Sequence, residues 1–129
     1  MVLGSRADAP HLPRRAPIDA YGDGGFRFAG MSHRGSLLCL PDGIWAWPVN
    51  DVSELTEAAL SAVFDRAESL DFFLIGAGRD PWALPEGLRK RFRESALSVD
   101  AMATGAAVRT YNILLTENRR VGAGLIAAA

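Results

Sequence analysis

The strongest constraint on the fold of this chain is a short run of wholly apolar residues, Phe72-Phe73-Leu74-Ile75, between Asp71 and Gly76. A run without alternation is typical of a strand that is covered on both faces. Patterns of helical period precede and follow this run, so strands and helices alternate in the second half of the chain. This alternation predicts an α/β domain with a parallel or mixed sheet, in which this strand is central.

Three segments have an apolar stripe with a period near 3.6 residues and are predicted to be helices. The first runs from Ser53 to Ser69, with Asp51 or Ser53 as its cap. Pro85 suits the first position of the second helix, and Thr104 is expected to cap the third. The stripes consist of Leu60, Val63, Phe64 and Ala67 in the first helix, Leu88, Phe92 and Ala96 in the second, and Ala107, Tyr111, Leu114 and Leu115 in the third.

Several other segments are predicted to be strands, because apolar residues alternate in them or turn residues bound them. Pro41-Asp42-Gly43 predicts a hairpin, since proline presets one φ and glycine accepts a positive one. Pro48 removes a backbone donor, so it either ends the strand that follows this turn or places that strand at an edge of the sheet. The predicted strands contain Phe26 and Phe28, Ser36 to Leu40, Ile44 to Trp47, Ser98 to Met102, and Arg120 to Ile126.

Length and composition favour one globular domain. A chain of 129 residues with 49% hydrophobic and 22% charged residues has the size and composition of one folded unit. Prolines, charges of both signs and little periodicity predict a flexible N-terminal arm over residues 1–17, so residues 18–129 are expected to form the single α/β domain. No window suits a membrane-spanning helix or a signal peptide, which predicts a soluble, cytoplasmic protein.

Composition also argues against several classes of function. A net charge of −1 and a pI near 6.1 provide no field that would attract nucleic acid. Cys39 is the only cysteine and lies in an apolar stretch, so its thiol is expected to be a small buried group. His11 and His33 have no carboxylate or cysteine at ligand spacing, and no nucleophile motif is present. We therefore expect no metal, no cofactor and no catalytic residue.

The loop Gly76-Ala77-Gly78-Arg79-Asp80-Pro81 follows the buried strand and precedes a helix, which is where α/β sheets usually bind ligands. Its glycine amides can hold an anion, and Arg79 can add a bidentate donor. Pro81 occupies the place of the last glycine in a dinucleotide fingerprint, so neither that motif nor a Walker loop is present. The glycines can equally supply only the backbone freedom needed to leave a strand. Trp82 can anchor a partner or pack into the core.

A second group of polar residues lies on the third predicted helix, at Arg109, Thr110, Tyr111 and Asn112. Arg109 and Asn112 are three residues apart and are therefore neighbours on the helix surface. They can bind a ligand or tie the helix to a loop. We interpret them as a structural tie.

Three segments of the chain together carry a family resemblance: Gly76-Ala77-Gly78 after an apolar strand, Met102-Ala103-Thr104 followed by Ala107-Val108-Arg109-Thr110-Tyr111-Asn112, and Glu117-Asn118-Arg119-Arg120-Val121. The chain resembles the Mth-type domain of unknown function over roughly residues 18 to 126. That family includes bacterial and archaeal proteins of about this length and, in eukaryotes, a mitochondrial respiratory complex I assembly factor.

The resemblance implies a three-layer α/β fold, with a central mixed β-sheet, helices on one face and a smaller layer of strand and helix on the other. It implies no established enzymatic activity and no cofactor, and the role of the eukaryotic member is protein assembly. Gly76 and Gly78 match the family's Gly-x-Gly loop, and residues 109–112 match its helix motif. Val108 stands where the family often has cysteine, so thiol chemistry at that position is absent.

Three hypotheses for function follow. The first is a non-enzymatic binding or assembly module that presents the loop from Gly76 to Trp82, and the neighbouring end of the third helix, to a protein partner. The second is a site in which the amides of Gly76 and Gly78, together with Arg109, bind an anionic metabolite, with or without turnover. The third is that these polar residues only brace the fold. The oligomeric state stays open.

Overall fold

The computed structural model describes residues 9–128, which form two sheets and three α-helices. Short 3-10 turns lie at Val52–Glu54, Ala58–Leu60 and Ala67–Ser69. The strands are β1 (Ala20–Gly22), β2 (Gly25–Phe28), β3 (Met31–Arg34), β4 (Ser36–Leu40), β5 (Gly43–Trp47), β6 (Phe72–Gly76), β7 (Ser98–Met102) and β8 (Val121–Leu125), and the helices are α1 (Ser61–Asp65), α2 (Glu86–Glu94) and α3 (Thr104–Thr116).

The larger sheet has five strands in the order β5-β4-β8-β6-β7. Strand β4 pairs antiparallel with β5 and β8, whereas β6 pairs parallel with β7 and β8, so the predicted mixed sheet is confirmed. Strand β6 is interior, as its apolar run predicts, but the middle position belongs to β8. Gly124 of β8 faces the indole of Trp47, and a Cβ on Gly124 would lie 2.6 Å from that ring.

Each face of the large sheet carries its own layer and its own core. Helix α3 and a small antiparallel sheet, β1-β2-β3, cover one face. Helices α1 and α2 and the 3-10 turns cover the other. The three-layer arrangement implied by the family resemblance is therefore confirmed. The first core includes Phe26, Phe28, Leu74, Tyr111 and Leu125, and the second includes Trp47, Leu60, Phe73, Ile75 and Phe92.

The single helix predicted from Ser53 to Ser69 is wrong, because the segment is broken into 3-10 turns around the short helix α1. Leu55 and Leu60 are both buried, yet Leu55 is extended. Leu55 and Leu60 are five positions apart, and on an α-helix this spacing would point their side chains about 140° away from each other. One straight helix therefore cannot direct both side chains at the sheet. Asp51 does cap the first turn, accepting a hydrogen bond from the Ser53 amide at 2.9 Å.

The ends of the other two helices also differ from the prediction. Pro85 precedes α2 rather than opening it, and Ala96 lies beyond the end of α2 with a φ of 53°. Thr104 is not the cap of α3: Ala103 holds that position, and Thr104 is the first helical residue.

The small sheet contains two strands, β1 and β3, that were not predicted, because their short sequences carry too few apolar residues to alternate visibly.

Residues 9–17 of the predicted N-terminal arm pack against the domain, whereas residues 1–8 lie outside the described residues. Leu12 forms an antiparallel bridge with Ile44, and Ala16 is buried in the core that α3 covers. Arg15 donates a hydrogen bond of 2.8 Å to the Arg119 carbonyl. Within the predicted N-terminal arm, residues 9–17 are therefore held against the domain by backbone pairing, burial and a hydrogen bond.

Candidate functional site

The loop after β6 lies at the carboxyl end of the parallel strands, where α/β sheets commonly bind ligands. It borders a cavity of about 320 Å³. Arg79, Asp80 and Pro81 are exposed, and Arg79 has no ion-pair partner among residues 9–128. The lining residues, which we call the strand-end surface, are residues 50–52, 77–82 and 126–128.

Thr104 holds this loop to the rest of the domain. Its hydroxyl accepts a hydrogen bond from the Gly78 amide at 2.8 Å and donates one of 2.7 Å to the Ile126 carbonyl. The Thr104 amide in turn donates to the Gly78 carbonyl at 2.8 Å. Gly78 adopts a φ of 96°, which a residue with a side chain rarely takes. One buried hydroxyl therefore joins the loop, the start of α3 and the end of β8.

These bonds leave little of the loop backbone free for an anion. The Ala77 amide donates to the Met102 carbonyl at 2.7 Å, and the Gly78 amide is occupied by Thr104. Gly76 is required for close packing, since a Cβ there would lie 3.0 Å from the Thr104 Cα. The two glycines thus serve the backbone path and the packing of α3 against β6, which is the structural alternative considered from the sequence.

The three tryptophans have different environments. Trp47 is buried, and its indole nitrogen donates to the Ala59 carbonyl at 3.2 Å. Trp45 is half-buried beneath the guanidinium of Arg66. Trp82 is half-buried against the core on the α2 side and also lines the strand-end surface. Only Trp82 therefore combines core packing with a position beside the exposed residues of the loop.

The motif on α3 divides into separate roles. Asn112 accepts a hydrogen bond from the Ile18 amide at 2.9 Å and donates one of 2.8 Å to the Ile18 carbonyl, so it ties α3 to the N-terminal segment. Tyr111 is buried, and its hydroxyl donates to the Ala16 carbonyl at 3.4 Å. Thr110 faces the sulfur of Met102, with an Oγ1–Sδ distance of 3.9 Å.

Arg109 is exposed on α3 and is not among the residues that line the strand-end surface. The structure therefore brings the loop together with the first turn of α3 through Thr104, and it does not bring Gly78, Arg79 and Arg109 into one cavity. Thr104 is the residue that sequence reasoning misread. A threonine at the start of a helix has the same sequence signature whether it caps the helix or bonds elsewhere. The hydrogen-bond partners of Thr104 lie 26 and 22 residues away, so the local sequence gives no sign of them.

The ionisable groups in the interior are held in their neutral forms. Burial raises the pKa of the Cys39 thiol to about 12, so the thiol is a buried, protonated group, as predicted. Burial likewise raises the pKa of Tyr111, and the neighbouring Cys39 adds to the effect. In the described part of the chain, His, Cys, Asp and Glu side chains form no group of three or more that could hold a metal ion. No helix within residues 9–128 has the length and apolar character needed to cross a membrane.

Comparison with known proteins agrees with this architecture. A family model described as a protein of unknown function (DUF498/DUF598) matches residues 18–126. An uncharacterised protein of Rhodobacter capsulatus is 42% identical over 121 residues, which cover 92% of each chain. NADH dehydrogenase (ubiquinone) 1 alpha subcomplex assembly factor 3 of Drosophila melanogaster is 29% identical over 112 residues, which cover 84% of this chain but only 57% of that protein.

Solved structures extend the comparison to three dimensions. The crystal structure of a Bartonella henselae protein described as an outer membrane protein has a TM-score of 0.88 and 49% identity, covering 92% of this chain and all of that one. The solution structure of a Bordetella pertussis protein, described as an Mth938-like domain, has a TM-score of 0.76 and 27% identity over 86% of this chain and 85% of that one. The chain therefore belongs to the DUF498/DUF598 family of proteins of unknown function, has the Mth938-like fold, and is related to NADH dehydrogenase assembly factor 3.

Proposed function

We propose that this protein is a non-enzymatic protein-binding module with an assembly role, and that the strand-end surface is where its partner docks. The class of function is supported by the relation to assembly factor 3, which extends over 84% of this chain. The choice of surface is supported by the geometry of the loop from Gly76 to Trp82.

The observation that carries the proposal is a loop with a fixed backbone and exposed side chains. Thr104 holds both the amide and the carbonyl of Gly78, so the path of the loop is set before any partner arrives. Arg79, Asp80 and Pro81 then extend into solvent from that fixed backbone. A surface that is already ordered loses less conformational entropy on binding than a mobile one. Trp82, half-buried beside them, is the kind of aromatic residue that dominates binding energy at protein interfaces.

The small-molecule alternative has weaker support. It requires free amides in the Gly76–Gly78 loop, yet the amides of Ala77 and Gly78 already donate to Met102 and Thr104. It also requires Arg109 to face the same cavity, and Arg109 lies outside the cavity lining. An enzyme built on the same residues meets the same two objections. Protein binding needs neither feature.

The first partner to test follows from the name of the eukaryotic relative. We propose that the chain binds a subunit of a bacterial NADH dehydrogenase before that subunit joins the complex, and that it does so in the cytoplasm. Cell fractionation with an antibody against the chain checks the location. A chain recovered only with membranes after a high-salt wash would contradict a cytoplasmic site of action.

The docking surface can be tested by site-specific photo-crosslinking in living cells. A photoreactive amino acid at position 79 is expected to crosslink to a NADH dehydrogenase subunit. The same residue at position 90, an exposed site on α2, is the matched control. In a strain that lacks the gene, Arg79→Glu is expected to reduce assembled NADH dehydrogenase on native gels, whereas Lys90→Glu is expected to restore it fully. The proposed surface is refuted if positions 79 and 90 crosslink equally. It is also refuted if a variant that carries both Arg79→Glu and Trp82→Ala fully restores assembled NADH dehydrogenase.

A further inference from the structure

The outer face of the small sheet β1-β2-β3 carries a second, separate surface. Phe26 and Phe28 point from β2 into the core, so the alternating residues Gly25 and Arg27 point outward. A hollow of about 440 Å³ lies over this sheet. The hollow shares no lining residue with the strand-end surface, so variants can perturb one surface without changing a residue of the other.

Strand register brings two arginines and one hydroxyl together on this face. Arg27 lies directly across from Ser32, and Arg34 lies across from Gly25, two residues from Arg27 on β2. Side chains directly opposite have Cβ atoms about 5 Å apart, and diagonal neighbours about 7 Å apart. Both guanidinium groups can therefore reach one small ligand beside the Ser32 hydroxyl.

The donors on this face are largely unused. Arg27 makes no side-chain hydrogen bond or ion pair within the portion of the chain that the structure describes. Arg34 uses one donor, from Nη1 to the Asp23 carbonyl at 3.3 Å. A guanidinium carries five N–H donors, so most of those on both arginines remain free. The carboxylate of Asp23 at the rim offsets only one of the two positive charges.

The outward-facing residues beside these side chains are small: Ala20, Gly22 and Gly25. They leave space for a ligand beside the guanidinium groups, and Tyr21 also borders the hollow. Two guanidinium forks and a hydroxyl offer more donors than the two oxygens of a carboxylate can accept. A phosphate group has at least three acceptor oxygens and matches the planar fork of arginine.

We propose that Arg27, Ser32 and Arg34 form a binding site for a phosphate group, carried either by a free phosphorylated metabolite or by a lipid headgroup. In the free-ligand arm, the full chain is titrated with pyrophosphate and with glycerol 3-phosphate at constant ionic strength, and backbone amide shifts are followed by NMR. In the lipid arm, flotation compares vesicles of phosphatidylglycerol with vesicles of phosphatidylcholine. Shifts centred on Gly25, Arg27, Ser32 and Arg34, or flotation with phosphatidylglycerol alone, support the site.

Charge-removing variants decide whether the site is specific. Arg27→Gln and Arg34→Gln are each expected to weaken binding about tenfold, the effect of one lost charge-assisted hydrogen bond. Lys90→Gln removes an exposed charge of the same sign on α2 and is expected to leave binding unchanged. If the protein binds only the free phosphates or only the phosphatidylglycerol vesicles, that result identifies the source of the phosphate group. The proposal is overturned if no probe binds, or if Lys90→Gln weakens binding as much as the two arginine variants.

Discussion

Replacing Thr104 tests whether one buried hydroxyl holds the strand-end loop in place. Thr104→Val keeps the shape of the side chain but removes the atom that bonds Gly78 and Ile126. Thr104 is fully buried and Ile126 nearly so, hence water cannot readily replace the lost partner. The Gly78 amide and the Ile126 carbonyl then remain buried without a hydrogen bond.

The loss of stability in Thr104→Val can be estimated from these two groups without hydrogen-bond partners. A buried polar group without a partner costs about 1–3 kcal/mol, so the two groups together are expected to lower the free energy of unfolding of Thr104→Val by about 2–6 kcal/mol. For a domain of this size that loss corresponds to a fall in Tm of roughly 10 °C or more. Thr104→Ser keeps the hydroxyl and removes one methyl group, so its expected cost is only about 1 kcal/mol.

Urea denaturation followed by tryptophan fluorescence measures both variants, with the midpoint and slope fitted separately. Hydrogen exchange adds a local measurement, since the Gly78 amide is expected to lose protection in Thr104→Val and to keep it in Thr104→Ser. The reasoning is refuted if Thr104→Val is as stable as the wild type, or if Thr104→Ser costs as much as Thr104→Val.

Three further perturbations follow from the packing, the N-terminal segment and pH. Gly124→Ala is expected to cost about 1–3 kcal/mol, because the new Cβ meets the buried ring of Trp47; a wild-type urea midpoint would contradict this. Asn112→Ala removes both hydrogen bonds to Ile18, so faster hydrogen exchange and proteolysis are expected at the N-terminal segment, and unchanged protection there would count against the tie. Burial lowers the pKa of His33, so the unfolded state binds the proton first and stability is expected to fall as the pH drops below about 6.5. Urea midpoints at pH 7.5 and 5.5 should therefore differ more in the wild type than in His33→Asn.

Much of the fold could be predicted because its signals are local. Pro41-Asp42-Gly43 specified the hairpin between β4 and β5, where Leu40 pairs with Gly43. The apolar run at residues 72–75 specified an interior strand, and the stripe from Ala107 to Leu115 specified α3. In each case neighbouring residues contain both the signal and the structure it produces.

The predictions failed where the conformation of a segment depends on its packing against residues distant in the sequence. Residues 53–69 have a helical stripe, but burying Leu55 as well as Leu60 against the sheet breaks the helix. Strand β8 lies in the middle of the sheet, and its glycines leave room there for side chains of neighbouring elements, such as the indole of Trp47 over Gly124. Neither requirement is visible within a short window of sequence.

The amino-acid pattern alone was sufficient for the α/β class, for a parallel or mixed sheet and for the family resemblance, which implied the mixed sheet. It also identified the loop after β6 and the polar motif of α3 as the places to test. Only the tertiary structure decided which polar groups in those places are already occupied. Gly78 is bonded to Thr104, and Asn112 is bonded to Ile18, across 26 and 94 residues of chain. A hydrogen bond depends on the distance between two atoms in space, and sequence separation carries no record of that distance.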